Sequence, residues 1–168
     1  METLTNIGIL VLRVVLGLIF VGHGTQKLFG WFGGHGMAGH TAFMDKLGLR
    51  PARLFAVVSA LGETLGGLGV LAGLLTPLAA CGIIGTMAVA AITVHWANGF
   101  WNHEGGVEYP VVLAVQAFVI GLAGPGPYSF DGVLGIGLPA PWTFLAALAL
   151  TALTVAATVT RRPPQGRS

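Results

Sequence analysis

Residues 52–72 read ARLFAVVSALGETLGGLGVLA, and this stretch decides the fold. It is mostly apolar and has the length of about 20 residues that a helix needs to cross a bilayer. Its one charge away from the ends is Glu63. Four glycines in and just after this stretch are spaced by four, three and four residues: Gly62, Gly66, Gly69 and Gly73. On a helix these spacings create a face without side chains, so the stretch predicts a spanning helix packed closely against a neighbour.

The composition extends this prediction to the whole chain. Of 168 residues, 54% are hydrophobic and only 8% are charged, whereas soluble domains carry about 25% charged residues. So few charges cannot cover a water-facing surface, which excludes an ordinary soluble enzyme, and the high apolar content excludes a disordered chain. A net charge of +2 with scattered basic residues indicates no nucleic-acid partner. The single cysteine, Cys81, excludes an internal disulfide.

Four further apolar segments are candidate spans, at roughly residues 4–21, 77–97, 109–123 and 142–160. The segment 109–123 is short for a spanning helix. Prolines stand at the predicted helix starts, where a missing N–H is tolerated: Pro51, Pro77, Pro110 and Pro141. Between the last two spans, Asp131 is expected to cap a short helix through Val133 and Leu134. The sequence therefore predicts an all-α membrane protein with five spans.

Lys and Arg concentrate in the loop after the first span and in the tail after the last. These residues are Lys27, Lys46, Arg50 and Arg53 in the loop, and Arg161, Arg162 and Arg167 in the tail. Five spans place both regions on one face, which the positive-inside rule makes cytoplasmic, with the N-terminus outside; four spans would separate them. Within the loop, a short interfacial helix is expected at about residues 38–47. The protein is expected to be a multi-pass membrane protein in contact with lipids.

Two charges lie inside predicted spans and call for partners. Arg13 is close to the middle of the first span and Glu63 is close to the middle of the second. Because an isolated charge at the bilayer centre is costly, we expect the two to form an intramembrane ion pair. The pair has two interpretations: a structural contact that fixes helix register, or a polar floor for a ligand or proton relay.

A polar cluster is predicted at the cytoplasmic face, where the first and third spans end. Its members are His23, Lys27, His95, Glu104 and Glu108. The histidines could accept protons near neutral pH, and Lys27 could pair with either acid. The alternatives are a helix-capping role for His23 and His95 and a snorkelling Lys27. No HxxxH or HExxH motif occurs, so the sequence predicts no metal site. Haem with His23 and His95 as axial ligands is geometrically conceivable, but no other feature of the sequence supports it.

Several short pieces of the sequence, taken in order, resemble the DoxX family of small bacterial membrane proteins. They are Leu12-Arg13, Gly17, His23-Gly24, Lys27-Leu28, Glu63, Gly66-Gly67, Gly73-Leu74, Thr76-Pro77-Leu78-Ala79-Ala80, His95, Glu108-Tyr109, Gly124-Pro125-Gly126, Ser129 and Asp131. The resemblance covers roughly residues 7–135 and implies a transmembrane four-helix bundle. The segment 142–160 then becomes an additional C-terminal transmembrane helix. The expected division is a bundle at 1–138, the extra helix at 139–160 and a disordered basic tail at 161–168.

Family members resemble subunits of thiosulfate:quinone oxidoreductase or membrane partners in redox and oxidative-stress complexes. The first hypothesis is therefore a membrane subunit of a redox complex that binds a quinone or docks a soluble or membrane oxidoreductase subunit. The chain offers no redox group of its own, so a bound cofactor or partner must supply one. The alternatives are a carrier for a small anion, using Arg13 and Lys27, and a scaffold without enzymatic activity. Small-residue helix faces would also suit a homo-oligomer.

Overall fold

A computed structural model describes residues 1–139 and 141–162, and within them it contains seven α-helices and no strand. The helices are α1 (Glu2–Phe29), α2 (Gly36–Lys46), α3 (Ala52–Ala72), α4 (Thr76–Ala90), α5 (Glu108–Ala123), α6 (Phe130–Leu134) and α7 (Trp142–Thr160). A π-helical turn, Ala91–His95, continues α4. The all-α prediction is confirmed. Most of the expected disordered tail, residues 163–168, lies outside the described residues.

Four helices in the described part of the chain are long and apolar enough to cross a membrane. They are α1, α3, α7 and α4 with its continuation to Asn98. Helix α5 is apolar but has only 16 residues, in agreement with the short span that the sequence predicts. Large apolar side chains on α7, such as Leu150 and Leu153, are exposed at positions where lipid contacts the protein. The chain is a multi-pass membrane protein.

The structure corrects the end of the first span. Helix α1 continues to Phe29, eight residues beyond the predicted end at Val21, and stops where Gly30 adopts a left-handed conformation with φ 75°. The prediction ended the span at the polar run from His23, although a helix need not end where the bilayer core ends. Lys27 therefore lies on α1 rather than in a loop. Helix α2 lies close to the predicted 38–47.

Small residues set the distance between α1, α3 and α4. A Cβ atom added to Gly24 of α1 would overlap the backbone of Thr64, and one added to Gly67 of α3 would overlap α1. On the predicted glycine face of α3, Gly66 and Gly69 contact Ala79 of α4. The predicted close packing is confirmed, and α3 lies between α1 and α4 with tight contacts on both sides.

The start of α6 supplies the caps of two helices. Ser129 Oγ accepts a hydrogen bond from the Gly132 N–H and so caps α6. The sequence predicted that Asp131 caps its own helix, but it does not. Its carboxylate accepts from the Leu75 N–H at 2.8 Å and from the Thr76 N–H at 3.1 Å, and so caps α4. The prediction was wrong because the nearest N–H donors along the chain are already served by Ser129.

The two basic regions meet at one end of the bundle. At the end of α7, Arg162 Nε donates to the Leu47 carbonyl at 2.8 Å, immediately after α2. The C-terminal end therefore lies on the same side as the basic loop after α1. This is the arrangement that five spans require.

This arrangement predicts a specific pattern of labelling in intact cells. In a Cys81→Ala background, we expect a membrane-impermeant thiol reagent to label Gly137→Cys but not His103→Cys, because the positive-inside rule places the basic end in the cytoplasm. Disruption of the membrane should expose both positions. Labelling of His103→Cys alone in intact cells would show that the orientation is opposite to the predicted one.

Candidate functional site

A cavity of about 820 Å³ lies between α2, α3, α4 and α7, beside the end of α1. Most of its walls are apolar, including Phe43 of α2, Phe55 of α3 and Val89 of α4. Helix α7 closes one side with Val155 and with three threonines: Thr151, Thr154 and Thr158. The added C-terminal helix is therefore part of the cavity wall.

A buried ion pair lies on the cavity wall. Lys27 Nζ of α1 donates to Glu63 Oε1 of α3, and both residues line the cavity. Glu63 is only 2% exposed, and its second oxygen, Oε2, is buried without a hydrogen-bond partner. A buried carboxylate oxygen without a partner is costly, so this atom marks a position where a ligand would be stabilised.

A second polar pair lies close to the first. The His40 ring of α2 shares a hydrogen bond with Ser59 of α3, at 3.0 Å between Nε2 and Oγ. His40 is buried, and this burial, together with the positive charge of Lys27, lowers the pKa of His40 to about 4. The imidazole is therefore neutral at physiological pH, and it presents one donor and one acceptor nitrogen to its surroundings.

The lowered pKa of His40 predicts a loss of stability in acid. The unfolded chain takes up a proton near pH 6.5 and the folded chain only near pH 4, so the unfolded state binds more protons between these values. The contribution of His40 to the free energy of unfolding should be complete above pH 6.5 and fall by about 3 kcal/mol as the pH drops to 4. We expect unfolding temperatures in detergent micelles to fall less steeply for His40→Gln. The exposed His103 provides the matched control, and an equal fall for His40→Gln and wild type would contradict the prediction.

Thr93, in the π-helical turn after α4, contributes another atom to the cavity. Its Oγ1 is buried without a partner. Other helical threonines, such as Thr25 and Thr64, donate to the carbonyl four residues earlier at 2.7–2.8 Å. Thr93 lacks this bond, and π-helical turns are often found at functional sites. Glu63 and Thr93, which carry the two buried side-chain atoms without a partner, thus both line one cavity.

The predicted ion pair between Arg13 and Glu63 is wrong. Helices α1 and α3 are antiparallel, and their small-residue contacts place Gly24 against Thr64. Glu63 is therefore level with the end of α1, about 16 Å along the helix from Arg13. Lys27 reaches Glu63 instead. The prediction placed both charges at the centres of their spans. The N-terminal half of α1 instead extends well beyond the C-terminal end of α3.

Arg13 has a structural role at the opposite end of the bundle. It is 1% exposed, and its guanidinium donates to four backbone carbonyls. Nε reaches Val70 O at 3.0 Å and Nη2 reaches Leu71 O at 3.1 Å, while Nη1 reaches Pro125 O at 2.6 Å and Tyr128 O at 2.9 Å. These carbonyls terminate α3 and form the loop after α5, so Arg13 joins three segments.

The predicted histidines lie at one end of the bundle but outside the cavity. The His23 ring packs beside Tyr109, with 6.4 Å between ring centroids. His95 Nδ1 is hydrogen-bonded to the Gly105 carbonyl at 2.7 Å. Both histidines are thus near the start of α5, as predicted, yet neither lines the cavity around Glu63.

The predicted acids do not reach Lys27. Glu108 Oε2 accepts from the Asn102 N–H at 2.8 Å and so orders the loop before α5. Glu104 is exposed beside His103. The predicted cluster is therefore divided: Lys27 lines the cavity, and His95 and Glu108 bond to the loop between α4 and α5. His23 lies beside Tyr109 of α5, and Glu104 is exposed.

The site residues predicted from the sequence do not include His40, Ser59 or the threonines of α7. Ser59 lies four residues before Glu63 and therefore on the same helix face, which is a signal that the sequence contains. His40 has no such signal, because its position depends on how α2 folds back onto α3. Among the described residues, no group of three or more His, Cys, Asp and Glu side chains is arranged to hold a metal ion.

Comparisons with known proteins agree with this architecture. The chain is 28% identical over 136 residues to "Inner membrane protein YqjF" of Escherichia coli, which covers 80% of this chain and 97% of that protein. It is 32% identical over 132 residues to "Putative oxidoreductase CatD" of Bacillus subtilis, which covers 76% of this chain and 90% of the relative. No solved structure matches the chain. The sequence model of the DoxX family matches residues 8–96, more than half of the chain, and this protein therefore belongs to the DoxX family of multi-pass bacterial membrane proteins.

Proposed function

We propose that the cavity binds a lipid-soluble quinone, and that the chain is the membrane partner of an oxidoreductase. The observation that carries the proposal is a largely apolar cavity with the buried Lys27–Glu63 pair on its wall. A quinone head is an apolar ring with carbonyl oxygens that accept hydrogen bonds, and Lys27 Nζ is a charged donor. The ring and tail fit beside side chains such as Phe43 and Phe55.

The redox link is supported by the name of the Bacillus subtilis relative, a putative oxidoreductase. The chain brings one cysteine, Cys81, which is buried. We therefore assign electron transfer to a soluble or membrane oxidoreductase subunit and quinone binding to this chain. The head-group contacts in this proposal are Lys27, Ser59 and His40, because these three line the cavity, whereas His23 and His95 of the predicted cluster do not.

The contacts of the cations weaken the alternative of an anion carrier. That hypothesis uses Arg13 and Lys27 as the positive charges of an anion site. Arg13 donates to four carbonyls at the other end of the bundle, and the charge of Lys27 is balanced by Glu63. The pair therefore presents no net positive charge to an anion, while the ammonium keeps N–H donors for a neutral ligand. A scaffold without a ligand would leave the cavity, and the two buried side-chain atoms that lack a partner, without a role.

The proposal is tested by direct binding. Wild-type protein in nanodiscs is titrated with a labelled benzoquinone that carries a short isoprenoid tail, and native quinones are extracted from purified protein and quantified. We expect saturable binding at one site, and Lys27→Met should weaken it at least tenfold because the charged donor is lost.

A matched pair of tryptophan substitutions on α7 locates the site. Val155→Trp fills the cavity and should abolish binding, whereas Leu153→Trp places the same side chain on the exposed face of the same helix and should preserve it. Absence of saturable binding to wild type, or equal binding to both tryptophan variants, would overturn the proposal.

A further inference from the structure

Glu63 Oε2 is a buried carboxylate oxygen without a hydrogen-bond partner among the described residues. Lys27 satisfies only Oε1, whereas Oε2 is buried and unpartnered, and Glu63 is one of the residues that line the cavity. An ionised carboxylate is an acceptor only, so the group that satisfies Oε2 must be a hydrogen-bond donor. A quinone has only acceptor oxygens, and its carbonyl placed against Oε2 would leave both atoms unsatisfied.

We infer that the cavity selects the hydroxyl-bearing, reduced form of its ligand, a lipophilic quinol or related phenol, over the corresponding quinone. This inference rests on the proposed function and names the ligand form. A phenolic hydroxyl donates to Glu63 Oε2 in a charge-assisted hydrogen bond, and its oxygen accepts from Lys27 Nζ. The carboxylate–ammonium pair thus complements a hydroxyl, which donates and accepts at once. A carbonyl can accept from Lys27 Nζ but cannot donate to Glu63 Oε2.

Thr93 supplies the internal comparison. Gly62 of α3 lies against Thr86 of α4, so Glu63 is about level with Thr86. Thr93 follows seven residues later and is therefore about 10 Å further along α4 than Glu63. The Thr93 hydroxyl can donate as well as accept, and it therefore treats a carbonyl and a hydroxyl alike. Glu63 is the residue that discriminates between the two forms, and Thr93 contributes to the binding of both.

The experiment compares three ligands of one skeleton under anaerobic conditions: an alkyl-substituted hydroquinone, its quinone and the dimethyl ether of the hydroquinone. Binding to the full chain in nanodiscs is measured by competition against the labelled benzoquinone. For wild type, we expect the hydroquinone to bind at least tenfold more tightly than the quinone and the ether. Glu63→Gln should lose this preference because an amide also donates. Thr93→Val should weaken the hydroquinone and the quinone by the same factor.

The outcomes separate this inference from the proposed function. Equal or tighter binding of the quinone to wild type overturns the preference for the reduced form and leaves the quinone site standing. Binding of none of the three ligands overturns both. Because wild type alone decides between the redox forms, the test does not depend on the folding of either variant.

Discussion

Replacement of Arg13 by leucine is expected to prevent the protein from folding in the membrane. The guanidinium donates to four carbonyls, at Val70, Leu71, Pro125 and Tyr128. The Val70 carbonyl also accepts from the Gly73 N–H at 3.2 Å, so the loss of Arg13 removes the side-chain donor of the other three. An unsatisfied carbonyl costs about 1–3 kcal/mol when it is buried, so three of them remove a large part of a whole stability of about 5–15 kcal/mol. The measurement is the amount of folded protein in the membrane together with its unfolding temperature in detergent.

Two further substitutions test whether the fork of donors, rather than the charge, is responsible. Arg13→Lys keeps the positive charge but loses the planar arrangement of donors, so we expect it to be intermediate between wild type and Arg13→Leu. Arg53→Gln removes an exposed arginine from the start of α3 and should be neutral. Wild-type stability of Arg13→Leu would show that the carbonyls find other donors.

Helix identity could be predicted from the sequence because it depends on local patterns. Helices α3 and α7 begin and end at the predicted residues, since long apolar runs, a proline before each helix and Gly73 after α3 are local signals. The end of α1 was missed because polar residues there lie on a helix that continues beyond the apolar segment.

Pairing of the buried charges could not be predicted, because it depends on helix register. Contacts such as that of Gly24 with Thr64 determine which residues of α1 and α3 are level. These contacts bring Glu63 close to Lys27 rather than to Arg13. Hydropathy places both acid and base within spans, but it carries no information about relative depth. The cavity depends further on α2 folding against α3 and on the position of α7, which no local pattern encodes.

Substitutions at the Lys27–Glu63 pair should separate its structural role from its role in ligand binding. Lys27→Met leaves the buried carboxylate unpaired at both oxygens and is expected to destabilise by about 3–5 kcal/mol. Glu63→Leu should cost less, because Lys27 is 26% exposed and can extend towards the membrane surface. The double variant Lys27→Met/Glu63→Leu should regain most of the stability but bind no quinone. Unfolding temperature and quinone binding are measured on the same samples.

An exposed ion pair in the same chain provides the matched control. Arg50 Nε lies 3.2 Å from Asp45 Oδ1, with 72% and 55% of the two side chains exposed. The corresponding single and double variants should show a coupling below about 1 kcal/mol and unchanged quinone binding, because solvent screens this pair. If the Lys27→Met/Glu63→Leu protein regains stability and still binds quinone like wild type, the buried pair only fixes the register of α1 and α3. If it regains stability and loses binding, the same two side chains that join the helices also hold the ligand.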